Sequence, residues 1–140
     1  MTGAMRSKTV SISIEKPLAA VYRFVSDPEN LPQWAAGLGR SVRRAGTHWI
    51  VETSAGPMTV RFAPENEFGV LDHVVSPAPG IEVYVPIRVV ANGTGAELII
   101  TVFQTADMSE EKLAADVRMV EADLRTLKTV LEGRATRATS

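Results

Sequence analysis

Cysteine is absent from the 140 residues of this chain. That absence excludes disulfide bonds, thiolate nucleophiles and metal sites with cysteine ligands. Histidine is also scarce, because His48 and His73 are the only two in the chain. A metal centre with several histidine ligands is therefore not expected, and we predict neither a metal nor a cofactor. No serine lies in the Gly-x-Ser-x-Gly context of a nucleophile elbow, and no glycine-rich phosphate loop occurs.

An excess of charge of one sign is missing as well. The chain has 15 Lys and Arg against 16 Asp and Glu, a formal net charge of −1. A basic stripe for nucleic acid is not indicated, so we expect no nucleic-acid partner. No apolar run approaches the ~20 residues of a membrane span, and the N-terminus lacks the apolar stretch of a signal peptide. We therefore expect a cytoplasmic protein without a membrane span.

Strand patterns fill most of the chain, and helical patterns flank them. Residues 8–14 alternate apolar and polar side chains, which is typical of a half-buried strand. A short helical pattern starts after Pro17 and stops before Pro28, and a second helical turn ends at Trp34. Candidate strands then follow at 40–45, 48–53, 58–63, 68–76, 81–91 and 96–104.

The last element is a long amphipathic helix over residues 109–132. Its apolar residues recur every three or four positions and form one stripe. The stripe consists of Leu113, Val117, Val120, Leu124, Leu127 and Leu131. Asp107 and Glu110 are expected to cap its start, and Gly133 is expected to end it.

The segment PLAAVYRFVSDPENLPQW resembles the opening signature of the SRPBCC superfamily, which includes START, Bet v 1-like and polyketide cyclase-like proteins. The matching positions are Pro17, Val21, Asp27, Pro28 and Trp34. The resemblance implies an α+β helix-grip fold. In that fold two short helices follow the first strand, and a curved antiparallel sheet of six to seven strands wraps around the long C-terminal helix, leaving a cavity between them. Because the superfamily contains ligand carriers, cyclases and parts of larger enzymes, the fold alone does not give the function.

We predict one such domain over residues 8–133, with residues 1–7 and 134–140 as flexible ends. Hairpin registers indicate which side chains face the cavity. A turn at residues 55–56 pairs Val51 with Val60 and directs alternate residues of both strands inward. These inward residues are Trp49, Val51, Met58, Val60 and Phe62. A turn at residues 93–94 pairs Val89 with Leu98 and Ile87 with Ile100, and Pro86 in the first of these strands predicts a bulge or an edge.

The stretch FGVLDHVV, residues 68–75, puts an acid and a histidine inside an apolar strand. Neighbours on a strand point to opposite faces, so the two cannot share one pocket without a bulge. The register that we favour pairs Asp72 with Val85 and directs Asp72 inward and His73 outward beside Tyr84; a shift of one residue exchanges them. An inward Asp72 is a candidate polar anchor or general acid/base, and the alternative is a carboxylate that bonds a backbone N–H or caps a bulge.

These observations predict a protein that binds a small, mostly apolar or aromatic molecule in the cavity. The alternative is a polyketide cyclase-like enzyme with Asp72 or His73 as general acid/base. Tyr84 and Phe103, which oppose each other in the predicted register, suggest an apolar patch for a homodimer or for an adaptor function. The predicted ligand-binding residues are Trp34, Trp49, Met58, Val60, Phe62, Asp72, Val85, Ile87, Val117 and Val120.

Overall fold

The structure is a computed structural model that describes residues 3–35, 41–53 and 55–139, with side chains described as far as residue 133. Residue 40 of the first predicted strand after the helices, and residues 1, 2 and 140 of the predicted flexible ends, lie outside the described residues. The elements are β1 (Ser7–Ile14), α1 (Leu18–Val25), a 3₁₀ turn (Pro28–Asn30), α2 (Leu31–Trp34), β2 (Ser41–Ala45), β3 (His48–Thr53), β4 (Gly56–Phe62), β5 (His73–Ala78), β6 (Ile81–Val85), β7 (Ile87–Asn92), β8 (Gly95–Phe103) and α3 (Glu110–Thr139).

The strands form two antiparallel sheets, a three-stranded one in the order β1-β8-β7 and a five-stranded one in the order β2-β3-β4-β5-β6. Together with two short helices after β1 and the long C-terminal helix, this arrangement confirms the predicted α+β helix-grip architecture. The described residues contain eight strands instead of six or seven, because the predicted strand 81–91 is divided at Pro86 into β6 and β7. Proline has no N–H to donate to a ladder, which explains the break.

The hairpin registers decide which side chains face the interior. The β7–β8 register is as predicted, with Val89 opposite Leu98. In the β3–β4 hairpin Trp49, not Val51, lies opposite Val60, a shift of two residues from the prediction. Because the side-chain period of a strand is two, this shift leaves every inward residue on the predicted face.

Helix α3 lies against β1, β8 and α2, and its buried residues there are Leu124, Leu127 and Leu131. Ser109, and not the predicted Asp107, caps the start of this helix, since the Ser109 hydroxyl accepts a hydrogen bond of 3.0 Å from the backbone N–H of Lys112. The predicted end at Gly133 is also wrong, because the helix continues through this residue to Thr139. No helix in the described part of the chain is long and apolar enough to cross a membrane.

Candidate functional site

The carboxylate of Asp72 ties the two sheets together at the break between β6 and β7. Its Oδ1 accepts hydrogen bonds from the Ile87 backbone N–H at 3.0 Å and from Arg88 Nε at 2.9 Å. Its Oδ2 accepts a bond of 2.8 Å from Arg88 Nη2 and a bond from the Tyr84 hydroxyl. Four donors from two different strands therefore converge on one side chain.

The local sequence explains why a carboxylate is needed at this point. Pro86 bends the strand and supplies only its carbonyl oxygen, which accepts a bond of 3.2 Å from the Thr101 N–H. The following N–H, of Ile87, lies in the core and bonds the Asp72 side chain. Upstream, Gly69 adopts a φ of +73° beside β7, and a Cβ at this position would lie 2.2 Å from the Val89 carbonyl oxygen. The glycine thus allows the chain to run close along β7 toward Asp72.

The environment of Asp72 favours its ionised form. The hydrogen bonds from the Arg88 guanidinium hold the pKa of the Asp72 carboxyl below its usual value, although burial opposes this effect. The hydrogen bond from the Tyr84 hydroxyl to Asp72 raises the pKa of Tyr84, because the phenol donates to a carboxylate. A carboxylate with four donors and a lowered pKa is a poor general acid or base at neutral pH. The structure favours the backbone-bonding alternative for Asp72.

The predicted faces of Asp72 and His73 are exchanged in the structure. In β5 and β6, His73 lies opposite Val85 and Val74 lies opposite Tyr84, one residue away from the predicted register. His73 therefore points into the molecule, and Asp72 bonds Tyr84 and Arg88, whose side chains are partly exposed. The sequence pattern could not fix the register, because β5 itself contains an irregularity in its pairing with β6 between Val75 and Ala78.

His73 is held in one orientation among apolar neighbours. The residue is 7% exposed, and its ring stacks on the ring of Phe62 with centroids 4.8 Å apart. Nδ1 lies 3.3 Å from the carbonyl oxygen of Leu71. Burial lowers the pKa of His73, and this effect exceeds the opposing attraction of the neighbouring Asp72 carboxylate. The imidazole is therefore neutral at neutral pH.

The inward face of the five-stranded sheet carries most of the predicted ligand-binding residues. Val60 on this face is fully buried, but four other apolar side chains of the same face are only half-buried. These half-buried residues are Trp49, Met58, Phe62 and Val85. The guanidinium of Arg44, opposite Trp49 on β2, lies 5.9 Å from the centre of the indole ring. These residues share one face of one sheet, with Phe62 and Val85 directly beside His73 and with Met58 four residues from Phe62 along β4.

The remaining predicted residues lie elsewhere around this face. Trp34 is 6% exposed at the end of α2, and its indole N–H has no hydrogen-bond partner among the described residues. Val120 on α3 packs against the core, whereas Val117 lines an open groove between α3 and the start of β1. Ile87 is 1% exposed in the three-stranded sheet, where it serves as a core residue.

The predicted Tyr84–Phe103 strand pair does not form. Tyr84 lies opposite Val74 in the five-stranded sheet, and Phe103 lies opposite Ser7 in the other sheet. The strand pairing on which this apolar patch was predicted is therefore wrong, and the homodimer stays a prediction. The reason is again Pro86, because β6 leaves the path of β8 at this residue.

Arg88 and Tyr84 were not predicted as partners of Asp72. A signal for them exists in the sequence: a proline inside a strand leaves ladder groups unpaired, and these groups need a side-chain acceptor nearby. A further feature that the sequence did not indicate is a surface groove of about 650 Å³ between α1 and the loop before β5. Tyr22 and Asn66 line this groove, and His73 is not among its lining residues.

Comparison with known proteins identifies the fold. No protein-family model matches this chain, and no curated protein matches it in sequence. Among solved structures, protein XoxI from Bacillus cereus is 17% identical with a TM-score of 0.72, over 91% of this chain and 96% of that protein. Ara h 8.0201 is 14% identical with a TM-score of 0.67, over 93% of this chain and 99% of that protein.

A third similar structure is larger than this chain. The di-domain ARO/CYC protein BexL, from the BE-7585A biosynthetic pathway, is 18% identical with a TM-score of 0.69. The match spans 91% of this chain but 47% of that protein, so it covers about half of the di-domain chain. At these identities the likeness establishes the fold and nothing finer. The fold that the resemblance implied is confirmed: this chain has the helix-grip fold.

Proposed function

We propose that this protein binds a small, mostly apolar molecule between the inward face of the five-stranded sheet and α3. The residues that would contact it are the inward-facing set around His73, with Trp34 and Val120 on the opposite side. Two of the predicted ligand-binding residues are not included among these contacts. Asp72 bonds the partly exposed Arg88, and Ile87 is a core residue of the three-stranded sheet.

The observation that carries the proposal is incomplete burial at the centre of the fold. Large apolar side chains at the centre of a fold normally bury nearly all of their surface, because exposed apolar area costs about 25 cal/mol per Å². Here Trp49, Met58 and Phe62 remain half-buried on the inward face. An apolar ligand would cover the surface that they leave open.

The packing of α3 supports the same location. Among the described residues, the close approaches of α3 to strands are to β1 and β8, which belong to the three-stranded sheet. Although Val51 and Val60 on its inward face are buried, the five-stranded sheet has no comparably close approach to α3 in the described part of the chain. The Trp34 indole N–H, buried without a partner, adds a polar group that a ligand or a water molecule would satisfy.

The second candidate function is a cyclase-like reaction. DynU16, from the dynemicin biosynthetic locus, and the ARO/CYC protein BexL both share this fold. In this chain Asp72 is occupied by four donors, so such a reaction would depend on His73 as general base. Binding without chemistry requires no further residue, and for that reason we favour it.

A pair of substitutions on β4 tests the binding proposal. Met58 and Thr59 are both half-buried neighbours, and their side chains point to opposite faces of the sheet. Met58→Trp would fill the proposed site, and Thr59→Trp would place the same ring on the outer face. The probe is 1-anilinonaphthalene-8-sulfonate, whose fluorescence rises in apolar surroundings, titrated into each folded protein.

We expect the wild-type protein and Thr59→Trp to bind the probe alike, and Met58→Trp to lose at least tenfold in affinity while remaining folded by circular dichroism. Equal binding by all three proteins would overturn the proposed location. Native mass spectrometry of the protein purified from its own host would then show whether a bound small molecule accompanies the chain.

A further inference from the structure

We infer that Nε2 of His73 accepts a hydrogen bond from the bound molecule, so that the site selects apolar ligands bearing a hydroxyl or N–H donor. This inference rests on the proposed function and makes it more specific. It follows from the one hydrogen bond that the ring makes, from the stacking that orients the ring, and from the half-buried residues beside it.

The hydrogen bond to Leu71 fixes the tautomer of His73. A backbone carbonyl oxygen can only accept, so Nδ1, which lies 3.3 Å from the Leu71 oxygen, carries the proton. A neutral imidazole has a single N–H, and Nε2 is then left with a lone pair. Within the described part of the chain, the bond from Nδ1 is the hydrogen bond that this ring makes.

The imidazole stays neutral because of where it lies. The residue is 7% exposed, and the cost of burying a charge lowers its pKa. Asp72 is the one charged neighbour that favours the protonated form, and its carboxylate is directed toward Arg88. A neutral ring with Nδ1–H cannot donate from Nε2, so a ligand carboxylate or ketone would find no partner there.

The sheet presents Nε2 to the proposed binding space. Phe62, His73 and Val85 lie opposite one another on three adjacent strands and share the inward face. The Phe62 ring, inclined by 27° to the imidazole, holds the ring plane in place. Because Phe62 and Val85 on either side are half-buried, the surface around His73 is not closed by protein atoms alone. Among the described residues Nε2 of His73 is not a fully buried polar atom without a partner, so a ligand hydroxyl would take the place of water at this acceptor.

Three naphthalenes serve as probes of the inference: 1-naphthol carries a donor, while 1-methoxynaphthalene and naphthalene do not. Affinities are measured by equilibrium dialysis against the wild-type protein, His73→Phe and His48→Phe. His73→Phe keeps an aromatic ring for stacking but removes the acceptor. His48→Phe is the matched control, since His48 is adjacent to Trp49 and thus lies on the outer face.

We expect the wild-type protein and His48→Phe to bind 1-naphthol about tenfold more tightly than either other probe. In His73→Phe this preference should disappear, with naphthalene bound as before. If the preference persists in His73→Phe, or if the wild-type protein binds the three probes equally, the inference is wrong and the proposed function stands. If none of the three binds, the proposed function fails and the inference fails with it.

Nitrogen NMR of the wild-type protein gives a readout that does not depend on a variant folding. The imidazole nitrogens of His73 report directly which of them carries the proton. We expect a protonated Nδ1 and an unprotonated Nε2, whose resonance moves when 1-naphthol is added and not when naphthalene is added. A protonated Nε2 in the unliganded protein would overturn the inference on its own.

Discussion

Replacing Asp72 by Asn should destabilise the protein without changing its ligand affinity. The carboxylate accepts four hydrogen bonds, two on each oxygen, and an amide oxygen can accept only two of them, while the amide NH₂ would face one of the two Arg88 donors. Each bond to a charged group is worth about 1.5–3 kcal/mol when buried. Because half of the Arg88 side chain is exposed and can bond water, we discount this to a total of about 2–3 kcal/mol.

The loss would appear as a lower urea midpoint with an unchanged slope, or as a fall in Tm of about 6–12 °C for a domain of this size. The pH dependence provides a second check. The pKa of Asp72 is lowered in the folded state, so its contribution is complete above the unfolded carboxyl pKa of about 3.9. That contribution is lost as the pH falls through the lower folded value, and the stability difference between wild type and variant should shrink accordingly.

The double-mutant cycle with Arg88→Gln separates the ion pair from the other bonds of Asp72. Both single variants should be destabilised, and the double variant should lose less than their sum. An Asp72→Asn protein that is as stable as the wild type at pH 7 would refute the conclusion that the hydrogen bonds of Asp72 stabilise the contact between the two sheets. A folded Asp72→Asn protein that no longer binds the naphthalene probes would instead place Asp72 in the binding site.

Three further predictions concern single residues. The free energy of unfolding of the wild-type protein should decline as the pH falls below about 6.5, because burial lowers the pKa of His73 in the folded state. Urea titrations between pH about 5 and 6.5 should show a weaker dependence of stability on pH for His73→Phe. Gly69→Ala should lower the free energy of unfolding by about 2–3 kcal/mol, because the new Cβ would clash with the Val89 carbonyl oxygen, while Gly133→Ala in the interior of α3 should raise it by about 0.5–1 kcal/mol. Thermal unfolding of both variants measures these changes, and equal effects would contradict the backbone conformations of the two glycines. In urea unfolding, Ser109→Ala should lower the free energy of unfolding by about 1 kcal/mol, and Asp107→Ala should hardly change it. The reverse order would show that Asp107 is the helix cap, as the sequence predicted.

Much of the fold could be predicted because it depends on patterns that local sequence carries. The order of strands and helices, the apolar stripe of α3 and the register of the β7–β8 hairpin follow from periodicity and from the glycine turn at residues 93–95. The β3–β4 register was predicted two residues away from its actual position, and the error was harmless because the side-chain period is also two.

The candidate site could not be predicted to the same extent, because a shift of one residue matters there. Strand β5 contains an irregularity between Val75 and Ala78, and this single additional residue exchanges the faces of Asp72 and His73. The ends of α3 illustrate a related difficulty. Asp107 and Ser109 are both good capping residues, and an internal glycine such as Gly133 resembles a helix stop unless the following residues are known to continue the helix.

The alternation of a strand gives neighbouring residues separate roles, and this separation can be tested within one protein. Asp72 and His73 are adjacent in sequence, but one bonds Arg88 on the outer side and the other stacks on Phe62 inside. A catalytic dyad would lose activity when either member is replaced, and the two losses would not add. The geometry predicts a different result: Asp72→Asn changes stability and leaves probe binding intact, whereas His73→Phe changes probe preference and alters stability only in its pH dependence. Because each variant serves as the control for the other, a shared phenotype would show that the two side chains act on one site after all.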